Sequence, residues 1–260
     1  MTGMKVLIKV RYDGTGFSGY QVQKGRRTVQ GELCRAACEL FGHECNVTGC
    51  SRTDAGVHAE CFCATVSDAD IMGRAGLDTT IPAEKIPEAL NAHLPYDIAV
   101  FDAVYVADDF HPRYAVKEKT YIYRIINTRM RDPFYENRAW FIPGTLFDDA
   151  AVARMDRAAA FLVGTHDFSS FMAAGSKITD PVRTVTHTAV AAHGDLVEFE
   201  ISADGFLYNM VRIIVGTLSA VGRGKIEPSG MTEIIEAHDR ARAGVTAPPH
   251  GLYLNKVIYR

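Results

Sequence analysis

No apolar run in this 260-residue chain approaches the roughly 20 residues needed to cross a bilayer as a helix. A helical membrane role is therefore not expected. The opening residues, MTGMKVLIKVR, lack the long apolar stretch and small-residue cleavage site of a secretory signal. The expected location is the cytoplasm, with reduced thiols. The six cysteines (Cys34, Cys38, Cys45, Cys50, Cys61 and Cys63) contain no C-x-x-C pair, although His43 and His58 are interleaved among them. Cys34 and Cys38 fall one helical turn apart, and Cys61 and Cys63 share a strand face. They read as small buried hydrophobes, and no metal is expected. A Gly-rich phosphate loop and a dinucleotide fingerprint are both missing, so no cofactor is expected. His166-Asp167 has no G-x-S-x-G elbow to complete a hydrolase triad. Nor is there a basic excess: the formal net charge is -3, unlike a dedicated nucleic-acid binder.

That balance hides a local asymmetry. Between Arg113 and Arg138 stand seven Lys or Arg residues against three acids, a window of +4 that leaves -7 for the rest. Hydrophobic residues make up 47%, enough for one large domain or two moderate ones. Lys5 to Tyr12 alternates like a strand and ends in the turn residues Asp13-Gly-Thr-Gly16. Thr28 suits an N-cap for a helix to about Gly42, with Val29, Leu33, Ala36, Ala37 and Leu40 at helical spacing. Strands at Cys45–Thr48, His58–Val66 and Ile98–Val106, and a short helix near Pro82–Leu90, give β-α-β-β-α-β. The second half is expected to have strands at Tyr121–Ile126, Thr184–Ala191, Leu196–Ala203 and Leu252–Tyr259. Its helices are expected at Asp148–Leu162, Asn209–Val221 and Met231–Ala241. The fold class is α+β, two similar α/β sandwich halves with antiparallel sheets in a ferredoxin-like or RRM-like pattern. The halves, residues 1–107 and 108–260, are expected to flank a central cleft.

The densest group of reactive side chains is Gly49 to Ala59, GCSRTDAGVHA. An Asp two residues before a Gly is by itself a routine turn device. Here Ser51, Arg52, Thr53, Asp54 and His58 crowd one loop between two apolar strands. The string resembles the RTDAGVHA signature of the tRNA pseudouridine synthase A family. Other segments follow that family's order: Tyr12 to Gln21, Thr28-Val-Gln30, Asn91 to Ile98, Asp109 to Arg113, Lys119 to Tyr123, Gly164 to Phe171, Gly205 to Gly216 and Gly251 to Leu254. The resemblance covers nearly the whole chain. Two positions depart from it: Ser51 stands where glycine is usual, and Tyr20 where tryptophan is frequent.

The resemblance implies an isomerase that breaks the C1′–N1 bond of a uridine in tRNA, turns the base and rejoins it through C5. Asp54 becomes the catalytic carboxylate, as nucleophile or charge stabiliser. Arg212 becomes the cation that keeps it ionised. Tyr121 becomes the ring that stacks on uracil, with a hydroxyl near the C5 proton, and Tyr123 is expected on the same strand face. Reaching the base requires flipping it out, with Arg52 filling the space or holding the adjacent phosphate. Lys24, Arg26, Arg27, His58 and Arg113 are the remaining expected substrate contacts. The family's target is the anticodon stem-loop around positions 38–40, its members are usually homodimers, and it uses no cofactor.

Overall fold

In the computed structural model the described residues are 4–69, 76–175 and 178–260. They form a mixed α/β chain that divides into two compact units, Met1–Lys117 with Leu254–Arg260, and Glu118–Tyr253.

The first unit contains β1 (Met4–Tyr12), α1 (Val29–Phe41), β2 (Cys45–Gly49), β3 (His58–Asp68), α2 (Ile86–Asn91) and β4 (Ile98–Ala107). Strand β1 is central, pairing antiparallel with β3 through Ile8↔Ala64 and with β4 through Ile8↔Ala103. Val6, Leu7, Ile8 and Val10 are all buried, as a strand covered on both faces requires. Helix α1 starts where expected: Thr28 Oγ1 accepts the Gly31 N–H at 3.3 Å. It ends at Gly42, whose φ of 76° is the left-handed cap that glycine takes without a Cβ penalty. Val29, Leu33, Ala36 and Ala37 form its buried stripe.

The second unit contains most of β5 (Val116–Ile126), then β6 (Trp140–Phe141), α3 (Asp149–Ala160), β7 (Gly164–Asp167), β8 (Val182–His193), β9 (Leu196–Ala203), α4 (Met210–Gly222) and α5 (Gly230–Ala237). Its strand order is β5-β9-β8-β7, antiparallel throughout, with the two-residue β6 parallel to β5. Asp148 caps α3 by accepting the Ala151 N–H at 2.7 Å. Helix α4 is buried almost all round, and Arg212 is the only charged residue on it. Helix α5 stops at Ala237, four residues before the expected Ala241, because His238 turns left-handed at φ 49°. Asp239 then caps a separate 3-10 turn at Arg240–Arg242. The last strand, β10 (Leu252–Tyr259), returns from Leu254 onward to the first unit, beside β3.

Candidate active site

The loop between β2 and β3 carries Asp54. Cys50 N–H to Cys63 O at 2.8 Å and Val57 N–H to Asp54 O at 3.2 Å fix its two ends, and Gly56 turns it at φ 79°. Arg52 is exposed, Thr53 is buried and Asp54 is half-buried. The non-glycine residues at positive φ among those described are Asn137, Asn209 and His238. Ser51 is not one of them, so a side chain there in place of glycine costs no left-handed strain.

The segment following β1 packs against this loop. Tyr12 Oη and Thr53 Oγ1 share a buried 2.9 Å hydrogen bond. Tyr20 N–H donates to Thr53 O at 3.1 Å. Gly14 and Gly19 permit the approach. A Cβ on Gly14 would sit 2.6 Å from the Val57 carbonyl carbon, and one on Gly19 would sit 2.8 Å from Thr53 O. Sequence reasoning placed Tyr12, Gly14 and Gly19 only as parts of a matching string. Their role is to hold the end of β1 and the turn after it against the Asp54 loop.

His58 is 2% exposed. Its Nδ1 accepts the Gly14 N–H at 3.0 Å. The Asp13 carboxylate lies 3.3 Å from the same nitrogen, and also caps Thr15 at 3.0 Å. Buried in this way, the ring braces the turn beside the loop. Tyr20, in the tryptophan position, stacks on Phe62 with ring centroids 4.4 Å apart. Its buried hydroxyl has no hydrogen-bond partner among the described residues. Burial, reinforced by Cys50 and Cys34, holds that hydroxyl well above its ordinary pKa, with Arg113 pulling the other way.

In the second unit Tyr121 and Tyr123 lie two apart on β5, opposite Ile201 and Phe199. Tyr121 is 6% exposed, with its ring edge-on to Phe206 at 5.0 Å. Tyr123 is fully buried and donates its hydroxyl to Pro248 O at 2.8 Å, so that hydroxyl serves the scaffold. Burial pushes the Tyr123 hydroxyl far above its usual pKa, and Arg212 nearby opposes this. Arg212, half-buried in the first turn of α4, donates from Nε to Ala247 O at 2.7 Å and from Nη1 to Asn209 Oδ1 at 2.6 Å. The Ala247 N–H returns a 3.0 Å bond to Arg212 O.

The remaining basic residues divide by environment. Lys24, Arg26 and Arg113 are exposed. Arg27 is already engaged: it holds Asp97 bidentately at 2.7 and 2.8 Å, and stacks 4.1 Å over Phe17. Within the basic window, Arg124 pairs with Glu198 at 2.8 Å and covers Tyr253 at 4.2 Å. Arg129, Arg131 and Arg138 remain exposed. Among the described residues the metal-capable donors are His43, Cys45 and Asp68, at the far end of the β2–β3 pair from Asp54.

A sequence profile of the family described as tRNA pseudouridine synthase matches residues 8–115 and 158–260. Curated relatives extend the likeness over nearly the full length. "tRNA pseudouridine synthase A" of Thermoanaerobacter sp. (strain X514) is 47% identical over 254 residues, 98% of this chain and 99% of the relative. The Moorella thermoacetica protein of the same name is 43% identical over 254 residues, covering 97% and 98%. "tRNA pseudouridine synthase A 2" of Clostridium tetani is 40% identical over 256 residues, covering 98% of each. With the profile on both sides of the basic window and relatives matched almost end to end, the chain belongs to the tRNA pseudouridine synthase family.

Proposed function

We propose that this protein isomerises uridine to pseudouridine in tRNA, using Asp54 and no cofactor. The observation that carries the reading is the Asp54 loop. A half-buried carboxylate follows an exposed arginine, on a loop gripped by Tyr12, Gly14 and Gly19. Such a carboxylate is preorganised for glycosyl chemistry: it need not reorganise when the bond breaks.

The reaction is balanced within the substrate. The C1′–N1 bond breaks, C5 bonds to C1′, the C5 proton leaves and N1 takes up a proton. Asp54 serves as nucleophile or as charge partner to the detached pair. Arg212 supplies the positive charge that offsets the desolvation of that carboxylate. Tyr121 stacks on the uracil, and its hydroxyl relays the C5 proton, giving up its own proton as it takes that one. Tyr123 stays with the scaffold. The reading assigns both halves, residues 1–107 and 108–260, to one reaction, since Asp54 belongs to the first and Tyr121 and Arg212 to the second. It also takes those halves as two related α/β sandwiches.

Arg52 stands beside the flipped uridine, and Lys24, Arg26 and Arg113 neutralise phosphates. Arg27 acts by fixing the turn through Asp97, and His58 by bracing Gly14. The target is the anticodon stem-loop around positions 38–40. The working form is a cytoplasmic homodimer.

The test is tritium release from tRNA labelled at C5 of uridine, comparing the native chain with Asp54→Asn. The expected result is release by the native chain, none by Asp54→Asn, and unchanged tRNA binding. No release by the native chain on several tRNAs, with binding retained, would leave a tRNA-binding protein without catalysis.

A further inference from the structure

The second unit holds a cavity that Tyr121 and Arg212 do not line. About 300 Å³ in volume, it is bordered by Arg131, Asp132, Tyr135, Glu136, Trp140 and His250, among others. That volume stands at the lower end of small-molecule pockets, about 300–1,000 Å³. Backbone bonds fix its walls. Asp132 Oδ1 accepts the Phe134 N–H at 2.9 Å and Asp132 O accepts the Tyr135 N–H at 3.1 Å, which folds the 3-10 turn carrying Tyr135. Tyr135 O then accepts the Arg138 and Ala139 N–H groups at 2.9 and 3.2 Å, with Asn137 at a left-handed φ of 57° between them. Tyr253 Oη ties the segment to β10 by donating to Arg138 O at 2.7 Å. Trp140 is held in β6 opposite Ile125, its ring edge-on to Tyr123 at 6.3 Å. The same segment exposes Arg129, Arg131 and Arg138 together with Met130 and Phe134. Residues 116–157, which supply most of the lining, fall between the segments that the family profile matches.

We propose that this cavity receives one unpaired nucleotide of the RNA, its base against Trp140 and its phosphate at Arg131, and selects a base with an exocyclic amino group. The aromatic lining suits the face of any base, because stacking is tolerant of sequence. Arg131 supplies a planar fork of donors for phosphate oxygens. The carboxylates choose the edge. Asp132 and Glu136 accept hydrogen bonds, so they match the amino groups of adenine, cytosine or guanine. Uracil instead presents one N–H between two carbonyl oxygens, and those oxygens repel carboxylates. The cavity is therefore not a second seat for the target uridine. Arg129 and Arg138, exposed on the same segment, draw a polyanion towards it. The inference rests on RNA being the substrate, as in the proposed function, and adds to it a contact outside the reacting residue.

Trp140 is the one tryptophan of the chain, so its emission reports on the cavity directly. The experiment titrates the full chain with triadenylate, tricytidylate and triuridylate RNA, and with AMP. The expected result is saturable quenching by triadenylate and tricytidylate, each bound at least about fivefold more tightly than triuridylate. Arg131→Ala, at an exposed position, weakens triadenylate about tenfold and lowers the slope of log affinity against log salt by about 0.7. Glu136→Leu, also exposed, narrows the preference over triuridylate while circular dichroism stays native. AMP, which cannot reach the flanking cations, binds at least about tenfold more weakly than triadenylate. Absence of quenching, equal affinity for triuridylate, or an unchanged titration in folded Arg131→Ala would each overturn the site. AMP binding as tightly as triadenylate would make it a free-nucleotide pocket and overturn the RNA assignment. Quenching without tritium release would keep this site and remove the proposed reaction, and tritium release without quenching would do the reverse.

Discussion

Gly14→Ala tests whether the grip on the Asp54 loop matters to catalysis, because Gly14 itself carries no reactive group. The added Cβ would lie 2.6 Å from the Val57 carbonyl carbon and closer still to its oxygen. Ordinary carbon contacts begin at about 3.5 Å, so the loop or the turn must give way by about 1 Å. The shift also stretches the 3.0 Å bond from Gly14 N–H to His58 Nδ1. Overpacking of this kind costs about 1–3 kcal/mol. For a chain of this size each kcal/mol lowers the melting temperature by about 2–4 °C, so a fall of about 2–12 °C is expected. On the proposed reading the same displacement moves the catalytic carboxylate, and a 1 Å error there costs about 10²-fold. Gly14→Ala should therefore melt measurably lower and release tritium about a hundredfold more slowly, with tRNA affinity retained because no phosphate contact is touched. A folded Gly14→Ala variant that reacts within threefold of the native rate would refute the idea that this turn positions Asp54.

Two further outcomes follow from buried polar groups. Tyr20→Phe removes a buried hydroxyl with no partner among the described residues while keeping the ring stacked on Phe62. Relieving an unsatisfied buried group gains about 1–3 kcal/mol, so thermal unfolding should move upward, and a fall in melting temperature would contradict it. The second outcome is a loss of stability in base. The Cys45 thiol is raised from 9.0 to about 12, so folded Cys45 holds its proton more tightly than the unfolded chain does. That preference is fully present below about pH 9 and is lost as pH rises through about 12. Denaturant unfolding followed from pH 8 to 11 should show declining stability, with a shallower decline in Cys45→Ala. Identical slopes for the two proteins would remove Cys45 as a source.

Local chemistry was legible where one residue type decides the backbone. Thr28 and Gly42 bracket α1 as their capping preferences require. What escaped the sequence depends on partners distant in the chain. Tyr123 reads as an active-site companion to Tyr121 by period alone, yet its hydroxyl is held by Pro248, 125 residues later. Arg27 reads as a phosphate contact from the run Lys24 to Arg27, yet Asp97 takes both ends of its guanidinium. Helix α5 reads as running to Ala241 because its apolar period persists, yet His238 leaves helical φ first. The cysteines show the same limit most sharply. A spacing template looks for C-x-x-C, whereas strand register sets Cys45 opposite Asp68 across a pair that no linear motif describes.

In each unit, glycines distant in sequence let backbone press close to the segment that carries a candidate site residue. In the first, Gly14 and Gly19 let backbone press on the Asp54 loop. In the second, a Cβ on Gly244 would sit 2.6 Å from Thr217 N, and one on Gly216 would run into the Val245 carbonyl. That closeness, with Gly244 N–H donating to Thr217 Oγ1 at 2.8 Å, lays residues 244–248 directly on α4. The Ala247 carbonyl can then accept from Arg212 Nε, and the Pro248 carbonyl from Tyr123. An unrestrained arginine loses about 2 kcal/mol of rotamer freedom when it is immobilised. Tying its Nε to backbone places that cost in folding rather than in later binding events. Lysine has no lateral donor equivalent to Nε, so charge alone cannot substitute for Arg212. On the proposed reading, the glycines that let backbone approach the Asp54 loop and α4 matter to the reaction as much as the side chains they position.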